Sequence, residues 1–181
     1  EYFEHDAFAL FNKIMLHTKP WFMGASSRHG EPPIVAKSKN IQNVLLKKID
    51  PLLHSHLTDL GIEPQIYALR WVRLMFGREF HVEDVLLLWD AIFAYGNQFI
   101  LVEYICIAML LYIRDELLEK DSNECLFRLL KFPPVEDIRV FVGRSKDLIE
   151  GRHPLFASPV AERPPSLLSA FSASVRAKVE S

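Results

Sequence analysis

The chain has 181 residues, which at about 150 residues per domain suits one large domain or a domain with a tail. Hydrophobic residues make up 50% and charged residues 24%, so the chain can bury a core without staples and is not intrinsically disordered. A net charge of −2 excludes a general nucleic-acid binder or a basic membrane-surface protein.

The first helix is predicted from Tyr2 to Lys19, where Phe3, Ala7, Leu10, Phe11, Ile14 and Met15 keep helical spacing until Pro20-Trp21. No initiator Met and no capping stretch precede it, as expected of a segment cut from something longer. It has neither a basic n-region nor a cleavage pattern, so it is not a signal peptide. GASSRHGEPP, residues 24–33, reads as a polar surface loop. The second helix is expected from Lys39 to Leu60, with Ile41, Val44, Leu45, Ile49, Leu52, Leu53, His56 and Leu57 on its stripe. Asp50-Pro51 marks either a kink or an N-cap followed by Pro at the first helical position, and Gly61 takes the C′ position.

A third helix is predicted from Pro64 to Phe76, followed by Gly77, and a fourth from Val82 to Ala94. Val82, Val85, Leu86, Trp89, Ile92 and Phe93 form the expected inner face of the fourth, with Leu87 and Leu88 pointing elsewhere. The fifth, Phe99 to Lys120, is apolar nearly all round until Arg114 and should lie at the centre of the core. Its strongly apolar run is interrupted by Glu103 and falls short of the ~20 residues of a bilayer span. The sixth helix is expected from Ser122 to Lys131 and the seventh from Val135 to Glu150. Residues 151–181 then read as a Pro- and Ser-rich tail or linker, within which Ser166 to Val179 has the pattern of one weak helix. No segment alternates with the strand period, so the expected fold is all-α: an irregular bundle around a central apolar helix over residues 1–150.

Phosphate-loop, dinucleotide and nucleophile-elbow patterns are all absent from the sequence. His54 and His56 diverge on a helix and cannot share a metal, so His56 reads as a satisfied core histidine. His81 stands where it would cap the fourth helix. Cys106 and Cys125 lie in apolar patterns and read as buried free thiols of a cytosolic protein. The densest information is IEPQIYALRWVRLMFGREFHVEDVLLLWD, residues 62–90. It reads as a helical hairpin in which Trp71, Phe76, Phe80 and Trp89 fill the core and an arginine pairs with Glu79 or Asp90. Arg70, Arg73, Arg78 and Glu79, concentrated at its turn, are equally candidates for partner contact.

RWVRLMFGREF, followed by Trp89-Asp90, resembles the RW…REF…WD signature of the TBC domain of Rab GTPase-activating proteins. HDAF near the start and the LGIEP approach to the signature resemble the same family, in the same order. The likeness covers about residues 1–150, and beyond Gly151 nothing is recognised. It implies a Rab-type small GTPase as partner, with GTP and Mg belonging to that partner and no cofactor held here. It also implies a cytoplasmic protein, peripheral to endomembranes and active in vesicle trafficking. The family's catalytic motifs are I-x-x-D-x-x-R and Y-x-Q, upstream of the HDAF-like helix. No Asp of this chain has an Arg three residues on, and no Tyr has a Gln two residues on; Tyr95-Gly96-Asn97-Gln98 comes nearest. The chain is therefore expected to be the C-terminal lobe of a TBC domain, inactive alone, with no catalytic residue of its own. Separation from the other lobe should expose Phe3, Phe8 and Phe11 and promote self-association. The alternative is a non-catalytic helical adaptor of a trafficking complex, binding through residues 23–38 or the tail. A chance match in an orphan all-α domain would be signalled by a third and fourth helix that are not adjacent.

Overall fold

The computed structural model describes residues 2–24, 30–96 and 99–152, and all their regular structure is helical. α1 (Phe3–Thr18) ends in a 3₁₀ turn, Lys19–Phe22, where Pro20 removes the backbone donor that another α-helical turn would use. α2 (Pro33–Lys39) starts six residues before the expected helix, with Pro at N1, and continues without a break as a π-helical stretch, Asn40–Leu46, and α3 (Lys47–Ile49). The π segment turns Gln42 inward, where its amide donates to the Ile62 carbonyl at 3.0 Å and accepts from the Tyr67 hydroxyl at 2.8 Å. Polar side chains at buried positions survive only when paired in this way.

Asp50-Pro51 is a true helix break. Asp50 caps α4 (Pro51–Asp59) by accepting from the Leu53 amide at 3.1 Å, and its other carboxylate oxygen holds the Arg114 guanidinium. Asp50 is 2% exposed, so Asp50→Ala removes the cap and leaves Arg114 without that carboxylate. We expect a loss of about 2–3 kcal/mol in a denaturant titration. Gly61 closes the helix at φ +67°, as expected.

α5 (Ala68–Arg73) is much shorter than the expected third helix, because the chain first makes a 3₁₀ turn, Pro64–Ile66, and then leaves the helix before Met75 and Phe76. Those two residues have φ of +45° and +66°. α6 (Val82–Tyr95) and α7 (Ile100–Tyr112) follow. The expected fifth helix is interrupted at Ile113 and resumes as α8 (Arg114–Leu118). α7 is the central element: eight of its residues, from Leu101 to Leu110, are buried. α9 (Ser122–Leu130) starts with a capping box between Asp121 and Glu124 that the sequence reading missed. α10 (Arg139–Ile149) begins four residues later than expected and packs most extensively on α7.

The inner face of α6 differs from expectation. Val85, Leu88 and Ile92 are its buried residues, while Val82, Leu86 and Phe93 are 70%, 53% and 39% exposed. α1 also stands apart. Its main contact is with the 3₁₀ turn that follows it, and Phe3, Phe8 and Phe11 are all exposed. No helix among the described residues is long and apolar enough to cross a membrane. Residues 25–29 of the expected loop, and the tail from His153, lie outside the described residues.

Candidate functional site

The region from Arg70 to Asp90 turns on the two left-handed residues. A non-glycine residue there costs about 1–2 kcal/mol, so the surroundings must hold it. They do so with the Trp71 carbonyl, which accepts from the Phe76 amide at 2.9 Å, and the Trp89 indole, which donates to the Met75 carbonyl at 2.9 Å. Trp71 and Phe76 are fully buried, whereas Trp89 and Phe80 are half-buried and pack against the core edge. Phe80 joins rings at 5.6 Å with Phe132 and at 5.7 Å with Phe141. Trp71 meets Phe132 edge-on at 5.9 Å, so the turn is clamped to the α9–α10 connection by aromatic contacts. The indole bond ties α6 to the turn that follows α5, although the two helices do not pack along each other, so the expected hairpin is joined at its turn and not along its helices.

The charged residues of the turn divide by role. Arg70 donates through Nη2 to Glu79 Oε2 at 2.7 Å and to the Leu130 carbonyl at 2.7 Å. It therefore ties α5, the turn and the end of α9 together, and it is Glu79 rather than Asp90 that it pairs with. Arg73 donates to the Trp21 carbonyl at 3.2 Å, and its guanidinium lies over the Phe22 ring at 5.9 Å. It fixes the 3₁₀ turn that carries α1. Arg78 and Asp90 are exposed. Of the four partner-contact candidates, Arg78 is thus the one whose side chain projects from the surface, while Arg70, Arg73 and Glu79 are engaged within the fold.

The Glu79 side chain is 2% exposed, and burial pushes its carboxyl above the ordinary 4.5, against the pull of Arg70 and, more weakly, of the Trp71 indole and Arg78. Glu79 Oε1, Arg70 Nε and Trp71 Nε1 are buried without closed hydrogen bonds, so the carboxylate is held by nearby donors that do not all meet it at bonding geometry. A carboxyl raised in the fold adds stability that is fully present below its unfolded pKa and lost as pH rises through its folded pKa. Wild type compared with Glu79→Gln should therefore show its largest stability advantage near pH 4, shrinking as pH rises above the ordinary glutamate range. Paired denaturant titrations across pH 4–7 measure this, and an advantage that grows with pH would contradict it.

A second polar cluster lies where the end of α2 and the π-helical stretch meet α7. The Glu103 carboxylate accepts from Lys37 and, at 2.7 Å, from Asn40, and Lys37 also sits over the Trp21 ring at 5.6 Å. It is a structural cross-link that also reaches the 3₁₀ turn through Trp21. His56 is satisfied by a hydrogen bond at 2.9 Å to the Leu117 carbonyl, but it is half-buried and not part of the core. The His81 side chain makes no capping bond to α6. Cys106 and Cys125 are buried and free, and burial pushes both thiols up, which leaves them unreactive at neutral pH. Among the described residues no group of three or more His, Cys, Asp or Glu side chains could hold a metal.

What these residues build is a turn braced on three sides and a set of helices positioned by it. That all-helical arrangement is similar to the Ypt/Rab-GAP domain of Gyp1p, with a TM-score of 0.62 at 26% identity over 69% of this chain and 40% of that one. A sequence model of the Rab-GTPase-TBC domain matches residues 2–118, and the chain belongs to that family. It is 48% identical over 136 residues to TBC1 domain family member 5 homolog B of Dictyostelium discoideum, which covers 75% of this chain and 13% of the relative. It is 43% identical over 162 residues to TBC1 domain family member 5 of Homo sapiens, covering 78% of this chain and 20% of the relative. The chain thus spans a fifth or less of the length of these relatives.

Proposed function

We propose that this chain is the C-terminal lobe of a TBC domain that stimulates GTP hydrolysis on a Rab-type small GTPase, and that it braces a catalytic lobe and supplies part of the Rab-docking surface. The reading is supported by the family match over residues 2–118 together with a sequence that carries neither the D-x-x-R nor the Y-x-Q pattern. A GTPase activator supplies charge stabilisation and water positioning to the partner's active site. Those groups would come from the lobe carrying the two motifs, and this lobe would hold that lobe in place. GTP and Mg would be bound by the GTPase.

The exposed face of α1 is where the catalytic lobe would rest. Contiguous apolar surface beyond a few hundred Å² marks an interface that is used or has been lost. In the absence of that lobe, the polypeptide should self-associate through α1. Sedimentation over a hundred-fold dilution should show a concentration-dependent mass, and Phe8→Glu with Phe11→Glu should abolish it. A mass that is monomeric and insensitive to dilution would contradict the assignment of α1. The lobe reading itself is tested by adding the catalytic lobe of a matched relative in trans. Amide exchange along α1 should slow on mixing, and no change in exchange would count against it. A non-catalytic adaptor would show no such dependence.

A further inference from the structure

The α6 helix has an apolar face that the core does not use. At about 3.6 residues per turn, Val82, Leu86 and Phe93 fall within about 40° of one another, and all three are exposed. Half-buried Trp89 forms the inner edge of this stripe, next to buried Val85. The Trp89 ring meets Phe93 at 6.2 Å, while its indole holds the Met75 carbonyl. The signature tryptophan therefore belongs to two structures at once, the left-handed turn and the outer face. At the far end Phe93 meets the core residue Phe99 edge-on at 6.1 Å, so the aromatic end of the stripe is seated on the core.

The other edge of the stripe is acidic. Exposed Glu83 and Asp90 lie about 40–60° beyond Leu86 and about two turns apart. Asp84 is on the opposite side of the helix. α6 carries no Lys or Arg, and Arg78, ahead of the helix, is the nearest such cation in sequence. This pattern selects among possible occupants. An anionic membrane surface attracts lysines and arginines, and it would meet carboxylates here. Two α6 helices joined along this face bring no cation of their own to the carboxylates, and if antiparallel they set the two acidic edges side by side. A helix with basic residues beside an apolar stripe satisfies both the stripe and its acidic edge.

We propose that this face of α6 is a docking surface for a helix of another protein, one whose apolar residues step by four, three and four and whose flank carries Lys or Arg about two turns apart. Val82, Leu86, Trp89 and Phe93 themselves step by four, three and four, so the match is the same in either direction. The basic residues meet Glu83 and Asp90, which fixes the side of approach and speeds encounter at low salt. Because Trp89 also braces the Met75 turn, a docked helix protects the signature turn against local opening. The contact residues all lie on α6, so this docking does not depend on the role given to α1.

Two hydrocarbon-stapled helical peptides of about four turns test this by fluorescence anisotropy with the full chain. Both carry Leu at the matching steps; one has Lys on its flanks and the other has Glu. The Lys peptide should bind at least ~10-fold more tightly than the Glu peptide, and Glu83→Lys with Asp90→Lys should reverse that preference. Leu86→Asp should weaken the Lys peptide at least ~10-fold, whereas Phe8→Glu with Phe11→Glu should leave its affinity unchanged. Glu83, Leu86 and Asp90 are exposed, so these variants should keep the denaturation midpoint of the unaltered chain. Equal binding of the two peptides, no binding of either, or binding that survives Leu86→Asp would overturn the docking. Loss of binding through the α1 substitutions would overturn it too, by moving the contact to α1. So would sedimentation in which Leu86→Asp abolishes self-association, which would make a second copy the occupant.

Discussion

Trp71→Ala should lower the stability of this domain by about 3–5 kcal/mol, read as a shifted midpoint in a denaturant titration. Trp71 is fully buried and meets Tyr67 edge-on at 4.9 Å and Phe132 at 5.9 Å, so truncation opens a cavity lined by rings that cannot collapse together. Arg70→Ala should cost about 2–4 kcal/mol, because it leaves the buried Glu79 carboxyl without its principal counter-charge. The lower bound allows for the 26% exposure of the Arg70 side chain, which admits some solvent screening. Replacing both Arg70 and Glu79 by Ala should cost less than the sum of the two single changes. A double-mutant cycle that is strictly additive would show that the pair is not coupled. The signature is thereby assigned a largely structural role: Arg70, Trp71, Phe76, Glu79 and Trp89 fix a turn that places α5, α6 and α9.

GTP hydrolysis by a Rab-type GTPase should proceed at its intrinsic rate when this polypeptide is added alone. An arginine finger supplied in trans is worth about 10³–10⁵ in rate. Neither family finger motif occurs in the chain, and the arginines of its signature hairpin are committed elsewhere except at Arg78. Arg70 is held by Glu79 and Leu130, and Arg73 by Trp21 and Phe22. Docking without stimulation remains compatible with this arrangement. Arg78→Ala should then weaken any Rab binding several-fold while leaving stability unchanged within about 0.5 kcal/mol, because the residue is exposed. A calorimetric titration alongside a denaturant curve separates the two effects.

The all-α class, the family and the central position of α7 were legible from the sequence, because each rests on a long pattern. The run from Leu101 to Leu110, broken by the single charge of Glu103, is too apolar all round to leave a polar face, and the spaced signature occurs in order. Local geometry was less legible. Nothing in MFG announces two left-handed residues before a glycine that is not itself left-handed; the cost is met by Trp89, fourteen residues on from Met75. The π stretch at Asn40–Leu46 is likewise fixed by Gln42 reaching Ile62 and Tyr67, which are distant in sequence. The capping box Asp121–Glu124, by contrast, is written in the D-x-x-E spacing itself. On α6, periodicity could not show which half of a broad apolar arc faces inward. Leu88 and not Leu86 was chosen by packing, and the remainder became a surface. At the turn, charge alone could not tell a bracing arginine from a docking one, and that distinction came only with the partners of Arg70 and Arg73.

Single-turnover phosphate release from GTP-loaded Rab proteins tests the central claim most directly. The chain alone should leave the rate unchanged, and the same chain joined to a relative's lobe carrying the I-x-x-D-x-x-R and Y-x-Q motifs should raise it by about 10³-fold or more on a cognate Rab. Stimulation beyond about ten-fold by the chain alone, against a finger's worth of 10³–10⁵, would contradict the account.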